Sequence, residues 1–255
     1  VVKSRILLDK VAVITGSKSG IGLATAQLFA AEGAKVVLAD LKDARQEAEE
    51  IKKRGAEAFF FQVDVSSAKE VNSLFAEIRG RHGRVDILVN NAGIELAKKV
   101  TETSEREWDR LMATNLKGVF LCSKAAITLM QSQRSGVIVN VASELGLVGG
   151  QDIAAYCASK GGVVQLTRAM ALDHAQDHIR VNCVCPGPVE TPLLRRIFGQ
   201  GKDPQRERRE TIEKIPLGRL GRPEEISSVI LFLASEESSY MTGAAVAVDG
   251  GWSSP

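Results

Sequence analysis

The sequence predicts an α/β fold: one doubly wound parallel sheet of about seven strands with helices on both faces. Three observations lead there. The apolar run Val11-Ala12-Val13-Ile14 is followed by a glycine-rich turn and then by the helical run Leu23 to Ala30. Strand-length apolar runs then alternate with helical patterns almost to the terminus, as crossover connections between parallel strands require. No internal repeat, low-complexity tract or linker divides the 255 residues, so residues 1–255 read as a single domain.

The first unit carries Thr15-Gly16-Ser17-Lys18-Ser19-Gly20-Ile21-Gly22 between its strand and its helix. Glycines let the backbone turn tightly and approach a pyrophosphate, whose charge is met by free amides and the positive end of the helix dipole. A second strand, residues 34–39, ends at Asp40. A carboxylate there can accept hydrogen bonds from the ribose hydroxyls of an adenosine and repels a 2′-phosphate, which favours NAD(H) over NADP(H). Lys18, Lys42 and Arg45 oppose that preference, since basic groups accommodate the extra phosphate.

Helix 43–54, strand 58–63, helix 67–81 and strand 85–89 continue the alternation. Ligands of such sheets lie beyond the carboxyl ends of the strands. Asp64 and the segment Asn90, Ala92 and Gly93 are therefore expected to face a cofactor, with Asp64 equally readable as a helix-capping or loop acid. A long helical region, 104–133, contains Asn115 close before Gly118, a locally unfavourable pair that suggests a kink or a functional placement.

Strand 137–142 leads to Ser143, and thirteen residues later Tyr156 and Lys160 stand four apart on one helix face. A nearby ammonium favours the phenolate, so Lys160 is expected to lower the Tyr156 pKa. Ser143 can hold a substrate oxygen while the tyrosine exchanges a proton. Strand 179–185 follows, and Pro186-Gly187-Pro188-Val189-Glu190-Thr191-Pro192 breaks the pattern just beyond it. Residues 193–215, rich in Arg and Lys with little apolar content before Ile212, read as part of a mobile cover over about 188–215. Pro223 opens a last helix, and 243–248 forms a last strand.

Composition excludes several classes. Apolar residues make up 44% and charged residues 25%, and Lys plus Arg exceed Asp plus Glu by 33 to 31, so no global field argues for nucleic acid. Cys122, Cys157, Cys183 and Cys185 form no C-x-x-C pair and have no histidine-rich surroundings, so no metal is expected. Cys183 and Cys185, two apart on a strand face, are too widely spaced for an easy disulfide. No apolar run approaches the ~20 residues of a membrane span and no signal-peptide core opens the chain, so no membrane partner and a cytoplasmic location are expected.

Taken together, Thr15-Gly16-x-x-x-Gly20-x-Gly22, Asn90-Asn91-Ala92-Gly93, Asn115, Ser143, Tyr156-x-x-x-Lys160 and Pro186-Gly187 followed by Thr191 resemble the short-chain dehydrogenase/reductase family over nearly the whole length. The resemblance implies a single-domain Rossmann fold and a tetrad of Asn115, Ser143, Tyr156 and Lys160. In it Tyr156 is the acid/base, Ser143 the clamp on the substrate oxygen, Lys160 a ribose ligand, and Asn115 the holder of a water in the proton path. It also implies that Gly16, Ser19, Gly20, Ile21 and Gly22 border the pyrophosphate and that Asp64 and Val65 meet the adenine. Asn91, Ala92 and Gly93 then flank the ribose, with Pro186, Gly187, Val189 and Thr191 at the nicotinamide. Asp40 marks an NAD-preferring subgroup, from which Lys18 departs. A homotetramer is implied as well.

The implied activity is hydride transfer between NAD(H) and a secondary alcohol or ketone, such as a cyclic alcohol, a sugar or a small hydroxy acid. A 3-oxoacyl-thioester reductase and a catalytically silent redox sensor are the alternatives. Substrate choice is expected to rest on residues flanking the tetrad: Glu95, Leu96, Glu144, Leu145, Val148, Gln151, Asp152 and Pro188. Glu95 and Glu144 favour a polyhydroxylated or neutral ligand, whereas Arg195 and Arg196 favour a carboxylate.

Overall fold

A computed structural model describes residues 5–199 and 203–254. Seven strands, all parallel, form one sheet in the order β3-β2-β1-β4-β5-β6-β7. They are β1 (Val11–Thr15), β2 (Lys35–Asp40), β3 (Ala58–Gln62), β4 (Ile87–Asn90), β5 (Gly136–Val141), β6 (Ile179–Pro186) and β7 (Ala245–Val248). The order reverses between β1 and β4. That reversal opens a crevice at the carboxyl ends of the strands, where a doubly wound sheet takes its ligand.

The strands are apolar on both faces because both faces are covered. Ala12 and Ile14 of β1, with Val36 and Leu38 of β2, turn into a core shared with α1 (Gly20–Ala31), α2 (Arg45–Lys53) and α9 (Pro223–Ala234). The intervening residues Val11, Val13, Val37 and Ala39 turn into a second core under α3 (Ala68–His82), α5 (Gly118–Gln133) and α6 (Ala154–His174). A period of two therefore feeds two layers at once. Phe29, Leu74, Ile78 and Met130, each fully buried, fill the space between helices and sheet.

Local signals set the helix ends. Ser67 caps α3 by accepting the Glu70 N–H, and Gly83, at φ +71°, closes it in the left-handed conformation. Ser104 and Glu107 form a capping box at α4 (Glu105–Met112). Between α4 and α5 the helix widens into a π turn over Ala113–Lys117, with Asn115 inside it. The irregularity suggested by Asn115 and Gly118 is thus a wide turn in a continuing helical path. No helix among the described residues is long and apolar enough to cross a membrane.

The segment beyond β6 holds two short helices, α7 (Pro192–Phe198) and α8 (Pro204–Glu213). Despite its low apolar content the segment holds a small core of its own, in which Phe198 packs with Ile215 and Leu220, joined by Leu194, Ile212 and Trp252. Lys202, expected in this cover, lies outside the described residues.

Candidate active site

A cavity of about 830 Å³ runs along the carboxyl edge of the sheet. Of the residues expected at a cofactor or substrate, Gly16, Ser19, Gly20, Ile21, Asp40, Asp64, Val65, Asn91, Ala92, Gly93, Glu95, Ser143, Glu144, Tyr156, Lys160, Pro186, Gly187, Pro188, Val189 and Thr191 line it. Gly22, Asn90, Leu96, Asn115, Leu145, Val148, Gln151 and Asp152 do not. A Cβ on Gly22 would overlap the Gly16 carbonyl oxygen, so this glycine closes the helix onto the turn. Gln151 is exposed, and Leu145 packs toward Gly150 and Ile153.

At one end the glycine turn meets α1. Gly16 and Gly20 have φ of +65° and +58°, which favour glycine, and a Cβ on Gly16 would come within 2.7 Å of the Ala92 Cα. Ser19, the N-cap residue of α1, makes no side-chain capping bond, and the first turn holds no acid. The first amides of α1 are thus left without an internal partner beside the cavity, as an anion site requires. The Asp40 carboxylate accepts the Lys18 N–H and the Lys42 N–H, each at 2.8 Å. Each oxygen keeps a lone pair, enough to accept a pair of ribose hydroxyls. Turn and acid together fit a dinucleotide.

Asp64 also borders the cavity, where it accepts hydrogen bonds from the Ser66 N–H (2.9 Å) and hydroxyl (2.7 Å). Asn90 does not face a cofactor: it is buried, and its amide donates to Ser123 Oγ and Asn140 Oδ1. It is the last residue of β4, and the pleat turns it under the sheet. Asn91 ties the loop after β4 to the glycine turn by donating to the Thr15 and Gly16 carbonyls, both at 2.9 Å.

At the other end, β5 delivers Ser143 and α6 delivers Tyr156 and Lys160. The Lys160 ammonium lies 5.7 Å from the Tyr156 ring centroid and donates to the Val141 carbonyl at 2.9 Å. A Cβ on Gly93 would be 3.5 Å from Lys160 Nζ and 3.4 Å from Asn115 Oδ1, so these two side chains approach the same point beside the loop after β4. Asn115, fully buried, accepts the Ile94 N–H and donates to the Ile94 carbonyl and Ser159 Oγ. Both its amide hydrogens are used, so a water at this point would be held by an oxygen: the second lone pair of Oδ1 or a main-chain carbonyl freed by the π turn.

The electrostatics depart from expectation. Tyr156 is pushed well above the ordinary phenol value, first by burial and then by the Glu95 and Glu144 carboxyls; the Ser143 hydroxyl pulls the other way. The lowering expected from Lys160 is outweighed by burial and the two carboxyls. Burial also lowers Lys160 to about 8. Glu95 rises to about 7, through burial and then the Glu144 charge, and Glu144 rises mainly through burial although Ser143 Oγ donates to it at 2.5 Å.

Several lining residues carry no sequence signal: Arg110, Ala113 and Thr114 from the end of α4 and the π turn, and Trp252 from beyond β7. From α7 come Leu193, Leu194, Arg196, Ile197 and Phe198. Arg196 reaches the cavity, whereas Arg195 points out to Glu190 at 2.7 Å. Thr191 Oγ1 accepts the Leu194 N–H at 3.2 Å and caps α7.

A family model described as enoyl-(acyl carrier protein) reductase matches residues 16–253. The chain belongs to the short-chain dehydrogenase/reductase family. It is 44% identical over 244 residues to the meso-2,3-butanediol dehydrogenase of Serratia marcescens, covering 95% of this chain and 94% of that one. It is 41% identical over 250 residues to the 3-oxoacyl-[acyl-carrier-protein] reductase of Thermotoga maritima, covering 96% and 98%. Among solved structures, the aldohexose dehydrogenase of Thermoplasma acidophilum superposes with a TM-score of 0.89 at 36% identity, covering 97% and 95%. The protein is an oxidoreductase acting on CH–OH groups.

Proposed function

We propose that this protein oxidises a small secondary alcohol, or reduces the matching ketone, with NAD(H) rather than NADP(H). The observation that carries this is a single cavity with Asp40 at one end and Ser143, Tyr156 and Lys160 at the other. When bound, the dinucleotide supplies the carbon that accepts hydride and, in its oxidised form, a positive charge.

The chain's own residues do the rest. Ser143 turns its hydroxyl hydrogen from Glu144 to hold the substrate oxygen, and Tyr156 takes the hydroxyl proton in oxidation, where positive charge on Lys160 and on the bound cofactor offsets the acids that disfavour its phenolate, or returns it in reduction. Lys160 binds ribose hydroxyls and keeps a positive charge beneath the phenol. Asn115 fixes the loop after β4 through Ile94 and carries the proton path onward by an oxygen-bound water. Asp40 selects the ribose bearing a free 2′-hydroxyl, and Asp64 and Val65 border the adenine. Thr191 meets the nicotinamide amide with its hydroxyl, which accepts the Leu194 N–H on one lone pair and keeps its hydrogen to donate. Residues of α7 and α8 form a cover over the substrate end, which excludes water during transfer.

A homotetramer built on α5 and α6 is supported by Phe120 and Leu172, which stand 47% and 82% exposed on those helices. Four free cysteines accord with a cytoplasmic setting. The likeness to an acyl-carrier-protein reductase supports a second substrate class, an acyl thioester. One assay separates them: the near-ultraviolet absorbance of the reduced cofactor, followed with NAD+ or NADP+ and a panel of diols, cyclic alcohols, sugars, hydroxy acids and a 3-hydroxyacyl thioester. Turnover of a small alcohol with NAD+ supports the proposal. Preference for NADP+ with the thioester replaces it.

A further inference from the structure

Lys18 stands where a basic side chain should invite a 2′-phosphate. It lines the cavity, and its own N–H is held by Asp40 Oδ2 at 2.8 Å, so its stem starts beside the carboxylate that would receive the ribose. Its ammonium is nevertheless engaged elsewhere. It donates to Glu47 Oε1 at 2.6 Å, with the two side chains 34% and 15% exposed. Glu47 lies in the first turn of α2 and does not line the cavity. Its second oxygen, Oε2, is buried without a hydrogen-bond partner. The charge of this carboxylate is therefore compensated through Lys18, and a half-satisfied buried carboxylate holds its one cation firmly.

The other basic groups near Asp40 are differently placed. Lys42 contributes its main-chain N–H to Asp40 Oδ1 and also lines the cavity, whereas Arg45 lies 75% exposed beside Asp43, 3.3 Å away, and does not line it. An exposed pair of that kind contributes little.

We propose that Glu47 is a specificity-determining residue for the cofactor: by holding the Lys18 ammonium on α2, it withholds one of the two lysines that line the cavity beside Asp40 and could pair with a 2′-phosphate, and so reinforces the choice that Asp40 begins. This rests on the NAD(H) preference proposed above. Glu47 acts through Lys18 and touches neither cofactor nor substrate. Releasing it should turn the Lys18 side chain, long enough to reach past Asp40, into a phosphate ligand.

The test measures dissociation constants of NADH and NADPH on the full chain, by nicotinamide fluorescence at low salt. The wild type, Glu47→Gln, Lys18→Ala and the double variant are compared. Glu47→Gln should tighten NADPH by about tenfold, the size of one added charge-assisted phosphate contact, and leave NADH within about twofold. Adding Lys18→Ala should cancel that gain. Lys18→Ala alone should leave the NADPH to NADH ratio of the wild type unchanged, because the masked ammonium contributes nothing to either complex. An unchanged ratio in folded Glu47→Gln overturns the inference, as does a selective loss of NADPH affinity in Lys18→Ala alone, an arm that holds even if Glu47→Gln does not fold. A wild type that binds NADPH as tightly as NADH refutes the NAD(H) preference itself, which is a different result from a wild type that prefers NADH whose ratio Glu47→Gln fails to move.

Discussion

Replacing Glu95 by glutamine isolates the cost of the acidic wall facing Tyr156. Glu95 goes from an ordinary 4.5 to about 7 in the fold, because burial and the neighbouring Glu144 charge disfavour its ionised form. Its folded value lies above its unfolded one, so its contribution to stability is complete below pH 4.5 and is lost as pH rises through about 7. At 1.36 kcal/mol per pH unit, and allowing for the partial exposure of the site, the loss is about 2–3 kcal/mol. Glutamine keeps the shape and cannot ionise. Glu95→Gln should therefore match the wild type near about pH 4.5 and exceed it by about 2–3 kcal/mol near about pH 8. Urea unfolding of both proteins across that range measures the difference. A gain that is the same at both ends, or absent at the alkaline end, would refute the electrostatic account of this cavity.

Lys160 is the converse case: burial depresses it from 10.5 to about 8, so its contribution to stability is present above 10.5 and lost as pH falls through about 8. Lys160→Met should abolish turnover and yet melt a few degrees higher than the wild type near about pH 7, an advantage that thermal scans should find gone near about pH 10.5. Gly22→Ala puts a methyl group into the Gly16 carbonyl and within 2.5 Å of Asn91 Nδ2. It should cost about 1–3 kcal/mol in urea unfolding and weaken NADH binding, because the glycine turn must shift to admit it.

The fold was legible because two-sided burial leaves a plain trace: β1 and β2 are apolar at every inner position, and each is followed by a helix of ordinary length. The residues that line the cavity were mostly legible for a related reason, since they follow strands directly and their place is set by the sheet. What escaped depends on contacts between distant segments. Glu47 carries no mark in the sequence that it will hold Lys18, 29 residues away. Asn90 and Asn91 are adjacent and look alike, but the pleat sends one into a buried amide network and the other onto the glycine turn. Arg196 and Arg195 are likewise neighbours, and the turn of α7 brings only the first to the cavity. The direction of the Tyr156 shift is not legible from its helical spacing to Lys160, which is local, whereas the acids that oppose the lysine arrive from the loops after β4 and β5.

The central claim is that Tyr156 moves the proton. Its most direct test is Tyr156→Phe, which removes one oxygen and leaves the ring that packs beside Lys160. Turnover of the preferred alcohol and the dissociation constant of NADH are measured on the same preparation. The account predicts turnover reduced by at least about a hundredfold with NADH binding nearly unchanged. A phenylalanine variant that keeps the wild-type rate would contradict it.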